Sequence, residues 1–280
     1  MRPVLFQIGS VTVHSYGVLV AAGVLLGLWL ARRQAAAAHS SGAGPAGASG
    51  AGLDPDRVWN LGIYMVLAAL VGAKLWYVAS YWSYYRANPR EIFTLSTLQS
   101  AGVFYGGLVT AIVVAVLYAR HAKLRFLPLA DVYAAPLALG HAVGRLGCFF
   151  AGCCWGKPTS VAWAVAFTDS YAAQVVGVPL GVPLHPTQLY EAAAEFVNFG
   201  ILIWLGRGPR AVGQLFAAYA MLYGVTRGLT EFFRGDPGRT MLFGGAVSLM
   251  QLVSVALIGL GAWLWWRAQP GRQGSKEAKR

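Results

Sequence analysis

Charge is scarce in this 280-residue sequence: only 11% of its residues are Asp, Glu, Lys or Arg, against roughly 25% in an ordinary soluble domain. Acidic residues are the rarer sign, ten against 22 Lys and Arg. Together with a mean hydropathy of +0.54, this scarcity excludes a water-soluble globular enzyme, a disordered tail and a fibrous repeat. Cysteine is also sparse. Cys148, Cys153 and Cys154 are the whole complement, which excludes a disulfide-stapled secreted module. Their spacing lacks the four-ligand pattern of structural zinc, so no metal site is expected, and no motif calls for a cofactor. What the sequence has instead is apolar residues, 57% of the chain, with ten Trp and 13 Tyr. Those aromatics suit the belts found where helices cross a membrane–water boundary.

A membrane-crossing helix needs roughly 17–25 predominantly apolar residues. Seven runs approach that length, at 16–31, 58–80, 103–119, 126–145, 186–205, 212–229 and 242–266. The expected fold is an all-α polytopic membrane protein with seven transmembrane helices and a small cap loop on its outer face. Its expected organisation is an N-terminal segment and first span (1–33), a flexible linker (34–56) and spans two to four (57–147). The cap loop (148–184), spans five to seven (185–267) and a basic tail (268–280) follow. Within the cap, 161–167 reads as a short strand and 168–184 as turns. Arg32 and Arg33 follow the first apolar run instead of preceding it, the reverse of a cleavable signal peptide.

With the N-terminus outside, thirteen Lys and Arg fall in inner segments and six in outer loops. That bias places the N-terminus outside and the C-terminus inside. The net charge of +12 is then an insertion signal and an affinity for anionic membrane lipids, with no nucleic acid as partner.

Ionisable residues within spans cost at least ~2.5–3.5 kcal/mol each on insertion scales, so each marks a candidate function. Four clusters stand at the outer span ends. In His141-Ala-Val-Gly-Arg145, the His and Arg share one helical face; Arg145 is a candidate phosphate ligand, or a side chain snorkelling to the interface. Tyr223, Arg227 and Glu231 recur every four residues as one polar stripe, in which Glu231 and Tyr223 would fix the Arg227 rotamer. Gln188, Glu191 and Glu195 form an inward stripe on the fifth span, suited to headgroup hydroxyls or to plain interhelical bonding. Gly106 and Gly107 open the third span after Tyr105, where free backbone N–H groups could meet an anion.

The string GRLGCFFAGCCWG (144–156) resembles the signature of the prolipoprotein diacylglyceryl transferase family. Tyr16-Gly17, Lys74 (where the family usually carries Arg), the FYGGL run from Phe104 to Leu108, the HPTQLYE run from His185 to Glu191 and the Tyr223…Arg227…Glu231 run are family-like elements in the right order. The resemblance implies a bacterial inner-membrane enzyme with seven helices, a periplasmic cap and N-terminus, and a cytoplasmic C-terminus. It implies transfer of the diacylglyceryl group of phosphatidylglycerol to the cysteine thiol in the lipobox of a preprolipoprotein signal peptide. A thioether forms and glycerol phosphate leaves. Arg145, Arg227, Tyr105 and Glu231 are the implied catalytic positions. Tyr16, Gly106, Gly107, Gln188, Glu191, Tyr223, Cys148 and Cys153 are the implied substrate-binding ones.

Four further positions depart from the family pattern. Tyr105 stands where His is common, and in the signature Cys148 and Ala151 replace Asn while Cys153 replaces Glu. With an ordinary pKa of about 10, Tyr105 is a poor base at neutral pH. Two other classes therefore compete: a lipid-binding relative with altered catalysis, and a membrane thiol oxidoreductase using Cys148, Cys153 and Cys154.

Overall fold

The computed structural model describes residues 2–9, 11–41, 53–94 and 104–269. A hairpin of β1 (Val4–Ile8) and β2 (Val11–His14) comes first. The helices that follow are α1 (Ser15–Ser41), α2 (Pro55–Ser80), α3 (Trp82–Ala87), α4 (Phe104–His121) and α5 (Phe126–Ala151). After α5 come α6 (Ser170–Val176), α7 (Thr187–Leu205), α8 (Gln214–Glu231) and α9 (Leu249–Arg267). Two further two-residue pairings are β3 (Val165–Ala166) with β4 (Pro183–Leu184) and β5 (Met241–Leu242) with β6 (Val247–Ser248).

Seven of these helices have 18 residues or more, and four of the seven (α1, α2, α5 and α9) are long and apolar enough to cross a bilayer. Helices α7 and α8 fall below that apolar threshold because they carry the polar stripes, which point inward: Gln188, Glu191, Glu195, Arg227 and Glu231 are all buried. Large apolar side chains do the opposite. Leu25, Leu70, Leu75, Leu117, Val255 and Trp266 are among the many left exposed. An apolar outside around a polar inside is the arrangement expected when lipid is the solvent.

The long helices pack as a row in the order α4, α2, α1, α5, then α7 and α8 together, then α9. Small residues set the seams. A Cβ on Gly23 would lie 2.7 Å from the Gly140 carbonyl oxygen, and one on Gly27 would lie 3.1 Å from that of Pro136. Gly23-xxx-Gly27 is thus a close-packing motif that lets the α1 and α5 backbones touch. Asp131 on α5 ties in α8: its carboxylate accepts from the Gly213 and Phe216 backbone N–H groups at 2.6 and 2.8 Å. It caps α8 from a neighbouring helix, satisfying donors that the α8 N-terminus leaves open.

Several expected boundaries move. The linker expected over 34–56 is helical at both ends, since α1 runs on to Ser41 and α2 begins at Pro55; Ala35–Ala38 carry the highest helix propensity of any residue. Residues 42–52 of that linker, and 270–280 of the expected tail, lie outside the described residues. The last span starts at Leu249, not 242, because Ser248 and Gln251 form a reciprocal capping box there. In the cap, the expected strand over 161–167 shrinks to Val165–Ala166. The expected turn region holds α6 instead, capped by the Asp169 side chain and ended by Gly177 at φ 68°.

Candidate active site

The cap end of the bundle is where α5, α7, α8 and the segment after α5 meet. Helix α5 stops at Gly152, whose left-handed backbone (φ 77°) turns the chain back. Residues 153–157 are then pinned between α7 and the end of α8. Thr187 Oγ1 donates to the Cys154 carbonyl and Gln188 Nε2 to the Cys153 carbonyl, both at 2.7 Å. On the other side, the Lys157 N–H donates to the Phe233 carbonyl at 2.8 Å. A small apolar core of Trp155, Phe167, Ala172, Val178 and Leu184 holds the cap together.

Beneath this segment lies a chain of buried charges. The Arg145 guanidinium from α5 pairs with Glu191 on α7. Arg227 from α8 approaches the same carboxylate through Nε at 3.4 Å, and pairs through Nη2 with Glu231, one turn on, at 2.7 Å. Arg239, from beyond α8, reaches Glu231 at 3.6 Å. Thr230 Oγ1 donates to Glu191 at 3.4 Å. Arg227, Glu191 and Glu231 are at most 4% exposed. Three cations therefore face two carboxylates; Arg227 and both carboxylates are buried, while Arg145 and Arg239 are partly exposed. Arg145 Nε and Arg227 Nη1 are buried without a hydrogen-bond partner. Buried donors left unpaired are costly, and an excess of one positive charge with spare donors fits an anionic group with several acceptor oxygens.

A second layer lies one turn deeper. His141 Nδ1 sits 3.8 Å from Glu195, and Asn198 Nδ2 donates to Glu195 at 2.9 Å and to Thr226 at 3.1 Å. Beyond α8, Arg234 grips Asp236 with two bonds, at 2.8 and 2.6 Å. Burial pulls the Arg234 guanidinium down, but the bond to Asp236 outweighs it and holds the pKa above its ordinary value. Hydrogen bonding to Cys148 and then Cys153, aided by the nearby Arg145 and Arg234, holds the Cys154 thiol well below its ordinary range.

A family model described as prolipoprotein diacylglyceryl transferase matches residues 3–267. The chain belongs to this family. Proteins called phosphatidylglycerol–prolipoprotein diacylglyceryl transferase resemble it along nearly its full length. That of Bordetella parapertussis is 36% identical over 274 residues, covering 96% of this chain and 97% of the relative. That of Clostridium tetani is 31% identical over 265 residues, covering 95% and 97%. The Geobacter sulfurreducens protein is 33% identical over 261 residues, covering 92% of each.

Among the residues matching the pattern of the diacylglyceryl transferase family, the structure brings Arg145, Arg227, Glu191 and Glu231 into one network. Cys148 Sγ lies 3.8 Å from Arg145 Nη1, and Tyr16 packs over Gly147 at the start of α1. Other positions take different places. Tyr105 is half-exposed and donates its hydroxyl to the Met250 sulfur at 3.6 Å. Gly106 and Gly107 are buried against Gly72, Trp76 and Ala69 of α2, so their place in the structure is a helix seam. Tyr223, expected to fix Arg227, packs its ring against His141 at 5.4 Å, and it is Glu191 and Glu231 that hold the guanidinium.

Arg239, Thr230, Asn198 and Thr226 escaped the sequence reading. Asn198 had a signal: it continues the 188–191–195 spacing by another three residues on the same face. Arg239 had none, because it reaches Glu231 from a loop.

Proposed function

We propose that this chain moves the diacylglyceryl group of phosphatidylglycerol onto the lipobox cysteine thiol of preprolipoproteins, releasing glycerol phosphate. One observation carries the reading: Arg145 and Arg227, from separate helices, meet on the single carboxylate of Glu191 and keep donors to spare. In the reaction the cysteine sulfur bonds to the terminal glycerol carbon of the lipid while the bond from that carbon to the phosphate oxygen breaks. The thiol proton passes to solvent, and the phosphate monoester departs as its dianion. The lipid phosphodiester carries one negative charge and the departing monoester carries more. Two fixed guanidiniums in a dry site therefore favour the transition state over the bound lipid. Arg145 and Arg227 are assigned to the phosphate, and Glu191 and Glu231 to holding them in place. Gln188 supports the wall through the Cys153 carbonyl.

The same reading makes the seven long helices seven spans of a bacterial inner membrane, with the cap and N-terminus periplasmic and the C-terminus cytoplasmic. The charge bias supports it, as does Arg267 lying over the Trp263 ring at 4.1 Å at the expected inner boundary.

The test incubates purified protein with phosphatidylglycerol and a lipobox peptide and looks for the diacylglyceryl mass increase on the peptide cysteine. Turnover by the wild type and its loss in Arg145→Ala and Arg227→Ala are expected. Lipid binding with no mass increase in the wild type would sink the proposal and leave a lipid-binding relative, the reading that Tyr105, Cys148 and Cys153 favour.

A further inference from the structure

The positions where this chain departs from its family pattern are also where its cysteines gather. Among the described residues, Cys148, Cys153 and Cys154 form the one group of three or more metal-ligating side chains whose ligand atoms converge, all within 4.8 Å of one another. All three are free thiols. Linear spacing concealed this, because the convergence is made by the backbone reversal at Gly152, which bonds the Cys153 N–H back to the Cys148 carbonyl at 3.2 Å.

Two features hold the sulfurs in place. Cys154 sits at φ 59°, in the left-handed region that a residue with a side chain rarely adopts. Such backbone persists only where its surroundings over-determine it, and here the Thr187 and Gln188 side chains fix the carbonyls of Cys154 and Cys153. The site is also electrostatically prepared: Arg145 Nη1 lies 3.8 Å from Cys148 Sγ, and Arg234 adds a second nearby positive charge.

We propose that Cys148, Cys153 and Cys154 form an all-sulfur, three-coordinate site for one soft monovalent cation, represented by Cu(I). Soft thiolates select soft metals. A metal–sulfur bond of about 2.3 Å places three trigonal sulfurs about 4 Å apart, within the observed spread. Structural zinc takes four protein ligands, and no His, Asp or Glu joins this group among the described residues. On loading, three S–Cu bonds form, the protons that the cysteines still carry pass to solvent, and copper stays Cu(I), so no oxidant or reductant is consumed. The neighbouring guanidiniums offset the negative charge of the thiolate cluster. This inference does not depend on the transfer reaction.

The experiment titrates full-length, reduced protein in detergent, under anaerobic conditions, with Cu(I) held by a coloured competing chelator. One copper per chain should leave the chelator, and X-ray absorption should show three sulfurs around it. Cys153→Ser should weaken the site by 100-fold or more; its unfolding midpoint is recorded alongside, because Cys148 is buried in α5 and the triple serine variant can fail to fold. A folded Cys153→Ser protein that takes copper as tightly as the wild type overturns the proposal. So does a wild type that takes none, or a disulfide between any two of the three in protein alkylated directly in membranes.

Discussion

Glu191 holds two guanidiniums with one carboxylate, and its removal separates folding from ligand binding. Glu191→Gln leaves Arg145 and Arg227 short of a buried countercharge, a change that typically costs about 3–5 kcal/mol. The unfolding midpoint should fall markedly. Glycerol phosphate added to this variant should raise the midpoint more than it does for the wild type, because the anion replaces the lost charge. Arg227→Lys keeps the charge but loses the fork that reaches Glu191 and Glu231 together. Its kcat/KM should drop by about 10²–10³-fold, the usual scale for losing one oriented transition-state donor. At this scale the sequence was informative where partners are local. Arg227 and Glu231 are four apart on α8, and helical geometry alone pairs them. The pairing of Arg145 with Glu191 joins two helices, so spacing could supply both partners but not their meeting. Tyr105 shows the limit: the family pattern made it a catalytic position, and nothing in its spacing foretold that its hydroxyl bonds to a sulfur on α9.

Helices in this protein are joined by a few specific devices, and each can be tested alone. Asp131→Ala removes both acceptors from the α8 N-terminus and should cost about 1–2 kcal/mol. Faster amide exchange at Gly213 and Phe216 would place the damage at that helix end. Gly23→Leu should force α1 from α5 and lower stability by about 1–3 kcal/mol, read from detergent unfolding. Gly200→Ala, where a Cβ meets nothing within 4 Å, should leave stability unchanged or raise it. The long helices were readable because apolar runs of bilayer length have few alternatives. Helix α6 was not. With seven residues it spans about two turns, too few for a periodic pattern, and its determinants are a single cap and a single glycine. The continuation of α1 to Ser41 was missed because an Ala-rich composition reads equally as linker or as strong helix former.

For the whole molecule, orientation is the feature most directly checked. Reporter fusions placed after Ala268 should be active only as cytoplasmic reporters, and fusions within 157–183 only as periplasmic ones; the opposite pattern would invert the proposed topology. Membership of the family was legible from its ordered motifs alone, whereas the arrangement of the helices needed three dimensions. That arrangement has one further implication. Helices α4 and α9 terminate the packed row, do not pack extensively against each other, and are bridged through the Tyr105 hydroxyl and the Met250 thioether. A fence whose two end posts share a latch can swing without any rail being cut. Parting that latch would separate the two end helices while the ionic knot among α5, α7 and α8 stays tied.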